Sequence, residues 1–217
     1  MAQFFSLLIG YFIGAMIQTS YWYGRMRHID IRDLGSGNAG TTNAMRSLGK
    51  KAGLITGIGD VTKVFLAAFI AWIIFKGTGM PAMLIFIYAG LGTLIGHDFP
   101  FYMGFKGGKG VATLSGMILS LMFLPINCWI MSAVCASIFF IVLFATRYAS
   151  LASLCLTSAF FIQFCIFAGA GKLPLTGGEL AQAIIVTLIA CVVTFIKHRG
   201  NIGRLLTGTE RRIGSKK

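Results

Sequence analysis

From Val111 to Ala145 the chain runs through 35 residues without a charged side chain. As one helix that run would extend about 52 Å at ~1.5 Å per residue, far past the ~30 Å hydrocarbon core of a bilayer. "FLPIN" at its middle brings a proline, which cannot continue a helix, and an asparagine suited to a turn. Two short membrane spans joined by a tight turn reconcile these facts. Five further apolar runs are each long enough to cross: Phe4–Tyr23, Leu54–Phe75, Met80–Gly96, Ser150–Ala168 and Leu180–Ile196. Composition agrees, with 56% hydrophobic residues, 12% charged and a mean hydropathy of +0.81; soluble domains are about a quarter charged. The expected architecture is an all-α integral membrane protein of seven transmembrane helices, a single domain over residues 1–217.

Lysine and arginine placement tests that count. With seven spans, one face collects Arg25, Arg27, Arg32, Arg46, Lys50, Lys51, Lys106, Lys109, Arg147 and every cation from Lys197 onward. The other face receives only Lys76 and Lys172, while Lys63 lies within a span. The positive-inside rule then puts the N-terminus outside and the C-terminus in the cytoplasm. Merging Val111–Ala145 into one span would carry Arg147 and the tail to the other face, so seven is the better count. Three polar segments, Gly24–Gly53, His97–Gly110 and Lys197–Lys217, fall together on the cytoplasmic side with all three histidines (His28, His97, His198).

The net charge of +13 would suggest nucleic acid in a soluble protein. Here the cations flank apolar runs, so membrane lipids and a small anionic substrate are the expected partners, with no nucleic acid. Cys128, Cys135, Cys155, Cys165 and Cys191 all lie in apolar runs without ligand spacing and are expected to pack as small hydrophobes, leaving no metal site. The N-terminus "MAQFF" lacks the basic region of a signal peptide and is expected to be retained.

The polar segments carry the chemistry. In "DLGSGNAGTTNAMRSLGKK" the glycines permit left-handed backbone, and successive amides can cradle an anion. Thr41 or Thr42 is placed to cap a short helix ending near Gly49. On it Asn43 and Arg46 share a face, with Lys50 one turn beyond. "GHDFPFYMGFKGGKGVAT" looks like a nucleotide-binding phosphate loop but fails the pattern: Met103 stands at the first glycine and Gly110 at the magnesium-holding Ser/Thr. What survives is "GGKG", a lysine among backbone donors at the start of a helix, suited to a phosphate. In "KHRGNIGRLLTGTE", His198, Asn201 and Arg204 recur every three residues, with Glu210 beyond; a basic tail alone would not account for His198, Asn201 or Glu210.

Two features are weaker. Asp60 and Lys63 sit three apart within a span, as a functional pair or as a structural bridge. "HIDIRD" sets His28 and Asp33 in the H-x4-D spacing of soluble-fold glycerolipid acyltransferases. No other part of that signature follows, and the spacing is read as accidental.

Taken together, "GSGNAGTTNAMRSLGKKAG" with a downstream "D..K", "GHDFPFYMGFKGGKGVAT" and "KHRGNIGRLLTGTE" resemble the three motifs of the PlsY-type acyl-phosphate:glycerol-3-phosphate acyltransferases. The resemblance implies a bacterial inner-membrane enzyme with a cytoplasmic active site. It would transfer a fatty acyl group from acyl phosphate to the 1-hydroxyl of glycerol 3-phosphate, releasing lysophosphatidic acid and inorganic phosphate. It implies no cofactor and no obligate protein partner. Carried over by motif, Ser36, Gly37, Asn38, Thr42, Asn43, Arg46 and Lys50 would bind phosphate from the first segment. His97, Gly107, Gly108, Lys109 and Gly110 would form the second wall, with Lys109 catalytic. His198, Asn201, Arg204 and Glu210 would hold glycerol 3-phosphate and its reacting hydroxyl. The proton acceptor is left open between a side chain and a substrate phosphate. The chain departs from the family in "GAMIQTSYWYGRM", which lacks the usual proline, and in His28, where lysine is frequent. The rival from another class is a multi-span anion transporter with a basic vestibule.

Overall fold

A bilayer core offers no water to satisfy backbone groups, so an apolar chain crosses it as helices. The computed structural model describes residues 1–124 and 128–214, and all regular structure among them is helical. The turn expected at Pro125–Asn127 lies outside the described residues. The chain packs as two compact units, Met1–Leu124 and Pro125–Lys217. The first holds α1 (Ala2–Met16), α2 (Thr19–Arg25), α3 (Thr41–Leu48), α4 (Lys50–Phe75), α5 (Ala82–Asp98) and α6 (Val111–Ser120). The second holds α7 (Cys128–Thr146), α8 (Ala149–Gly169), α9 (Gly177–Lys197) and α10 (Arg199–Leu206).

Among the described residues, six helical stretches are long and apolar enough to cross a membrane: Ala2–Arg25, Lys50–Phe75, Ala82–Met103, Trp129–Thr146, Ala149–Gly169 and Gly177–Lys197. The stretch Val111–Phe123 is apolar but shorter. Ten α-helical residues and a three-residue 3₁₀ turn reach only about 21 Å. The first half of the uncharged run is therefore shorter than a full crossing. Large side chains such as Phe12, Phe140, Phe144 and Ile166 point outward, as they do when the surrounding medium is acyl chain rather than water.

α1 and α5 meet backbone to backbone. Gly10 and Gly14 on α1, and Gly92 and Gly96 on α5, are spaced by four and line one seam. A side chain on Gly10 would strike the Ala89 carbonyl, and one on Gly14 the Thr93 carbonyl. On the other helix, Gly92 lies against the Leu7 carbonyl and Gly96 against that of Tyr11. Small residues at this period let membrane helices approach until dispersion and Cα–H···O contacts hold them.

The first span was expected as one helix, and it breaks at Ile17–Gln18 although no proline is present. The break strips the last carbonyls of α1 of their partners, and four side chains replace them. Gln18 Nε2 donates to Gly14 O (3.1 Å), Tyr102 Oη to Ala15 O (3.0 Å) and Trp22 Nε1 to Met16 O (2.9 Å). Lys63 Nζ donates to Ile17 O at 2.9 Å. The tertiary structure thus satisfies a helix end that would be costly bare inside a membrane.

Candidate active site

The loop before α3 is shaped by one buried amide. Asn43 Nδ2 donates to Ile31 O (3.1 Å) and Leu34 O (2.9 Å), while its Oδ1 accepts from the Ser36 backbone N–H at 2.9 Å. Gly35 and Gly37 take the left-handed conformations that the turn requires. Ser36, Gly37, Thr42, Arg46 and Lys50 are exposed around this frame and Asn38 is half-buried. Asn38 Nδ2 reaches back to Ser36 O at 3.0 Å. Asn43 was expected to face a ligand beside Arg46. It is 2% exposed and spent on the backbone, so it builds the loop. Neither threonine caps α3: its N-cap is Gly40, without a side-chain cap, and Thr41 packs against Gly57 of α4 instead.

The second loop folds back on the end of α5. The Gly107 N–H donates to Asp98 O and the Gly108 N–H to His97 O, both at 3.2 Å. Those two amides, expected to be donors to a phosphate, are used in the turn. Gly107 and Gly108 are buried and Lys109 is half-buried, so the glycines matter for close packing. A side chain on Gly108 would collide with the His97 ring and crowd Ala39 O of the first loop. Gly110, left-handed at φ 68°, is the N-cap of α6, and a side chain there would strike Leu94. The expected anion-binding role would therefore fall to Lys109 and to the α6 N-terminus directly after it, whose first amides have no carbonyl within the helix to bond.

The two segments are tied by Arg32. Its guanidinium pairs with the Asp30 carboxylate at 2.7 Å and donates to Met103 O at 2.9 Å. Hydrogen bonds from Arg32 hold the Asp30 carboxyl below the usual aspartate range. Beneath them lies a buried cluster. Lys63 Nζ is 3.0 Å from Asp60 Oδ1 and 2.7 Å from His97 Nδ1. His97 is 2% exposed. Asp60 and Lys63 are spent on each other, on His97 and on the end of α1. No polar path along the spans, as a transporter requires, follows from them.

In the second unit Glu210 organises the tail. Its Oε1 accepts from Asn201 Nδ2 and Ser150 Oγ, and its Oε2 from Arg204 Nε, each at 2.7 Å. Burial raises the Glu210 carboxyl, but those hydrogen bonds and the Arg204 charge outweigh it, and its pKa ends below the usual glutamate value. The carboxylate is thus engaged at both oxygens, which orients Asn201 and Arg204. His198, between α9 and α10, lies 2.8 Å by Nδ1 from Thr194 O. A carbonyl only accepts, so Nδ1 carries the proton and Nε2 is the basic nitrogen of the neutral ring. The segment after α10 is pinned by the Ile213 N–H to Arg147 O at 2.7 Å.

Sequence reading missed Gln18, Arg32 and Ser150. Gln18 was visible as an amide inside an apolar run. Ser150 had no local signal, since its partner lies 60 residues away. His28 sits exposed in a left-handed turn, and among the described residues no hydrogen bond or ion pair joins it to Asp33, consistent with an accidental spacing.

A family profile described as glycerol-3-phosphate acyltransferase matches residues 4–208. The chain is 36% identical over 211 residues to the glycerol-3-phosphate acyltransferase of Clostridioides difficile (strain 630), covering 97% of this chain and 95% of the relative. It is 35% identical over 213 residues to that of Shouchella clausii (strain KSM-K16), covering 97% and 96%. Among solved structures it resembles PlsY (YgiH), an integral membrane glycerol 3-phosphate acyltransferase, in its glycerol 3-phosphate form. That match has a TM-score of 0.80 at 31% identity, over 99% of this chain and 96% of the other.

Proposed function

Because the chain belongs to the glycerol-3-phosphate acyltransferase family and is an integral membrane acyltransferase of the PlsY fold, we propose that its acyl donor is acyl phosphate. The reaction moves the acyl group to the 1-hydroxyl of glycerol 3-phosphate. The hydroxyl oxygen bonds to the acyl carbon, the bond from that carbon to the phosphate oxygen breaks, and the hydroxyl proton ends on the released inorganic phosphate. A mixed anhydride is already activated, so the protein's tasks are positioning and charge stabilisation. The observation that carries this reading is Lys109, half-buried between buried glycines at the N-terminus of α6 in a chain matched to the family almost end to end. Lys109 and that helix end hold the phosphate that leaves. Ser36, Asn38, Thr42, Arg46 and Lys50 line the neighbouring wall. His198, Asn201 and Arg204 hold glycerol 3-phosphate, and Glu210 acts through the last two.

The test is phosphate release by purified protein in detergent. Release is expected to need both acyl phosphate and glycerol 3-phosphate, and equal turnover with acyl-CoA would sink the donor assignment. With acyl phosphate alone the intact mass of the protein should not change. A stoichiometric acyl adduct on Ser36, discharged by glycerol 3-phosphate, would make that serine a nucleophile. Uptake of glycerol 3-phosphate into liposomes without acylation would restore the transporter.

The site is read as cytoplasmic in a bacterial inner membrane, with Val111–Phe123 crossing as a short seventh span and the N-terminus outside. Every lysine and arginine except Lys63, Lys76 and Lys172 then lies inside. In a cysteine-free background, cysteines at Lys51, Lys106 and Arg211 should react only from the cytoplasmic side, and one at Lys172 only from outside. Labelling of position 211 from outside would remove the seventh span.

A further inference from the structure

The buried cluster beneath the glycine loops assigns a proton. Lys63 Nζ faces Ile17 O at 2.9 Å, Asp60 Oδ1 at 3.0 Å and His97 Nδ1 at 2.7 Å, with Gly14 O farther off at 3.5 Å. A carbonyl and a carboxylate can only accept, and an ammonium has three protons to give. His97 Nδ1 is the nearest of these groups. Because an ammonium has no lone pair to accept with, Nδ1 accepts at that contact and carries no proton. Asp60 Oδ1, the other acceptor near Nδ1, lies farther off at 3.5 Å. We propose that Lys63, oriented by Asp60, fixes His97 as the Nε2–H tautomer and thereby makes it a hydrogen-bond donor rather than a base. The Nε2 edge of the ring lies against Gly108, where Ala39 O of the first loop also approaches. The donor is therefore aimed at the junction of the two glycine loops, beside Lys109. His198 is the opposite case, with its proton on Nδ1. One histidine donates and the other accepts.

This makes Lys63 and Asp60 positioning residues for His97, a role distinct from the cap that Lys63 also provides to α1. It also withdraws His97 from the candidates for taking the hydroxyl proton. The inference deepens the proposed acyl transfer and rests on that reading only for the identity of the anion at the loops. The tautomer itself can be read without any turnover.

The experiment is nitrogen-15 NMR of histidine-labelled protein in detergent, in a His28→Gln background, with His97 assigned by its own substitution. His97 should show an unprotonated Nδ1 and a protonated Nε2. A proton on Nδ1, in either the neutral or the doubly protonated ring, overturns the proposal whether or not the protein transfers acyl groups. Lys63→Met is not the test, because losing the cap on Ile17 can itself unfold the protein. The kinetic arm compares two replacements at His97. Glutamine places an amide N–H near the position of Nε2, while asparagine reaches only as far as Nδ1. His97→Gln should keep kcat/KM within about tenfold, and His97→Asn should lose about 10- to 100-fold, the range of one hydrogen bond to a charged group. The loss should appear chiefly in KM for acyl phosphate. Equal, complete loss in both folded variants would show that ring basicity is required and the donor role is wrong.

Discussion

Lys109→Met should abolish phosphate release almost completely while leaving the fold intact. Methionine keeps the length and most of the apolar stem of lysine, so packing between Gly108 and Gly110 is preserved. What disappears is the one positive charge in "GGKG", at the N-terminus of α6. With the Gly107 and Gly108 amides already spent on Asp98 and His97 carbonyls, those two backbone donors do not replace it. Removing one preorganised electrostatic group at a reacting centre costs roughly 100- to 1,000-fold in rate, or about 2.7–4 kcal/mol. The upper end is expected, because Lys109 is half-buried and, in the proposed reaction, its ammonium faces a phosphate that gains charge as it leaves. The assay is kcat and KM for both substrates, with thermal unfolding as the fold control. A variant retaining a tenth of wild-type kcat/KM would remove Lys109 from the chemistry.

The largest effect on stability is expected at the seam of α1 and α5. Gly92→Val should leave little folded protein. A Cβ at Gly92 meets the Leu7 carbonyl and, at 2.9 Å, the Tyr11 nitrogen. Both are helical backbone, which cannot rotate away as a side chain can, so the helices must separate. Overpacking a close seam costs about 3 kcal/mol or more, a large share of the stability of a small protein. Parting the seam would also pull on the α1 break, where Gln18 Nε2 donates to His97 O at 3.0 Å, and so reach the second loop. Gly169→Ala is the control: nothing lies within 4 Å of its Cβ position, and alanine in a helix is favourable relative to glycine. Size-exclusion profiles and melting curves in detergent check the pair. A monodisperse Gly92→Val with an unchanged Tm would show that the seam is looser than its backbone contacts imply.

The sequence by itself determined the helical class, most of the spans and the residues of the three polar segments. These are local properties: hydropathy over some twenty residues selects a membrane helix, and Lys109 among glycines or His198 before Asn201 stand together in the chain. The four-residue spacing of Gly10 and Gly14, and of Gly92 and Gly96, was equally legible, although nothing local said that the two pairs face each other. Only the tertiary structure decided how the polar side chains are spent. Asn43 reads as a ligand and builds a loop, because its partners Ile31 and Leu34 curl back on it. Gly107 and Gly108 read as amide donors and pack against the end of α5. Asp60 and Lys63 were ambiguous until α1 broke beside them and His97 came within reach. A hydrogen bond joins one donor to one acceptor at about 3 Å, whatever the number of residues between them. Which group a buried lysine or histidine meets is therefore a property of packed helices, and no pattern along the chain records it.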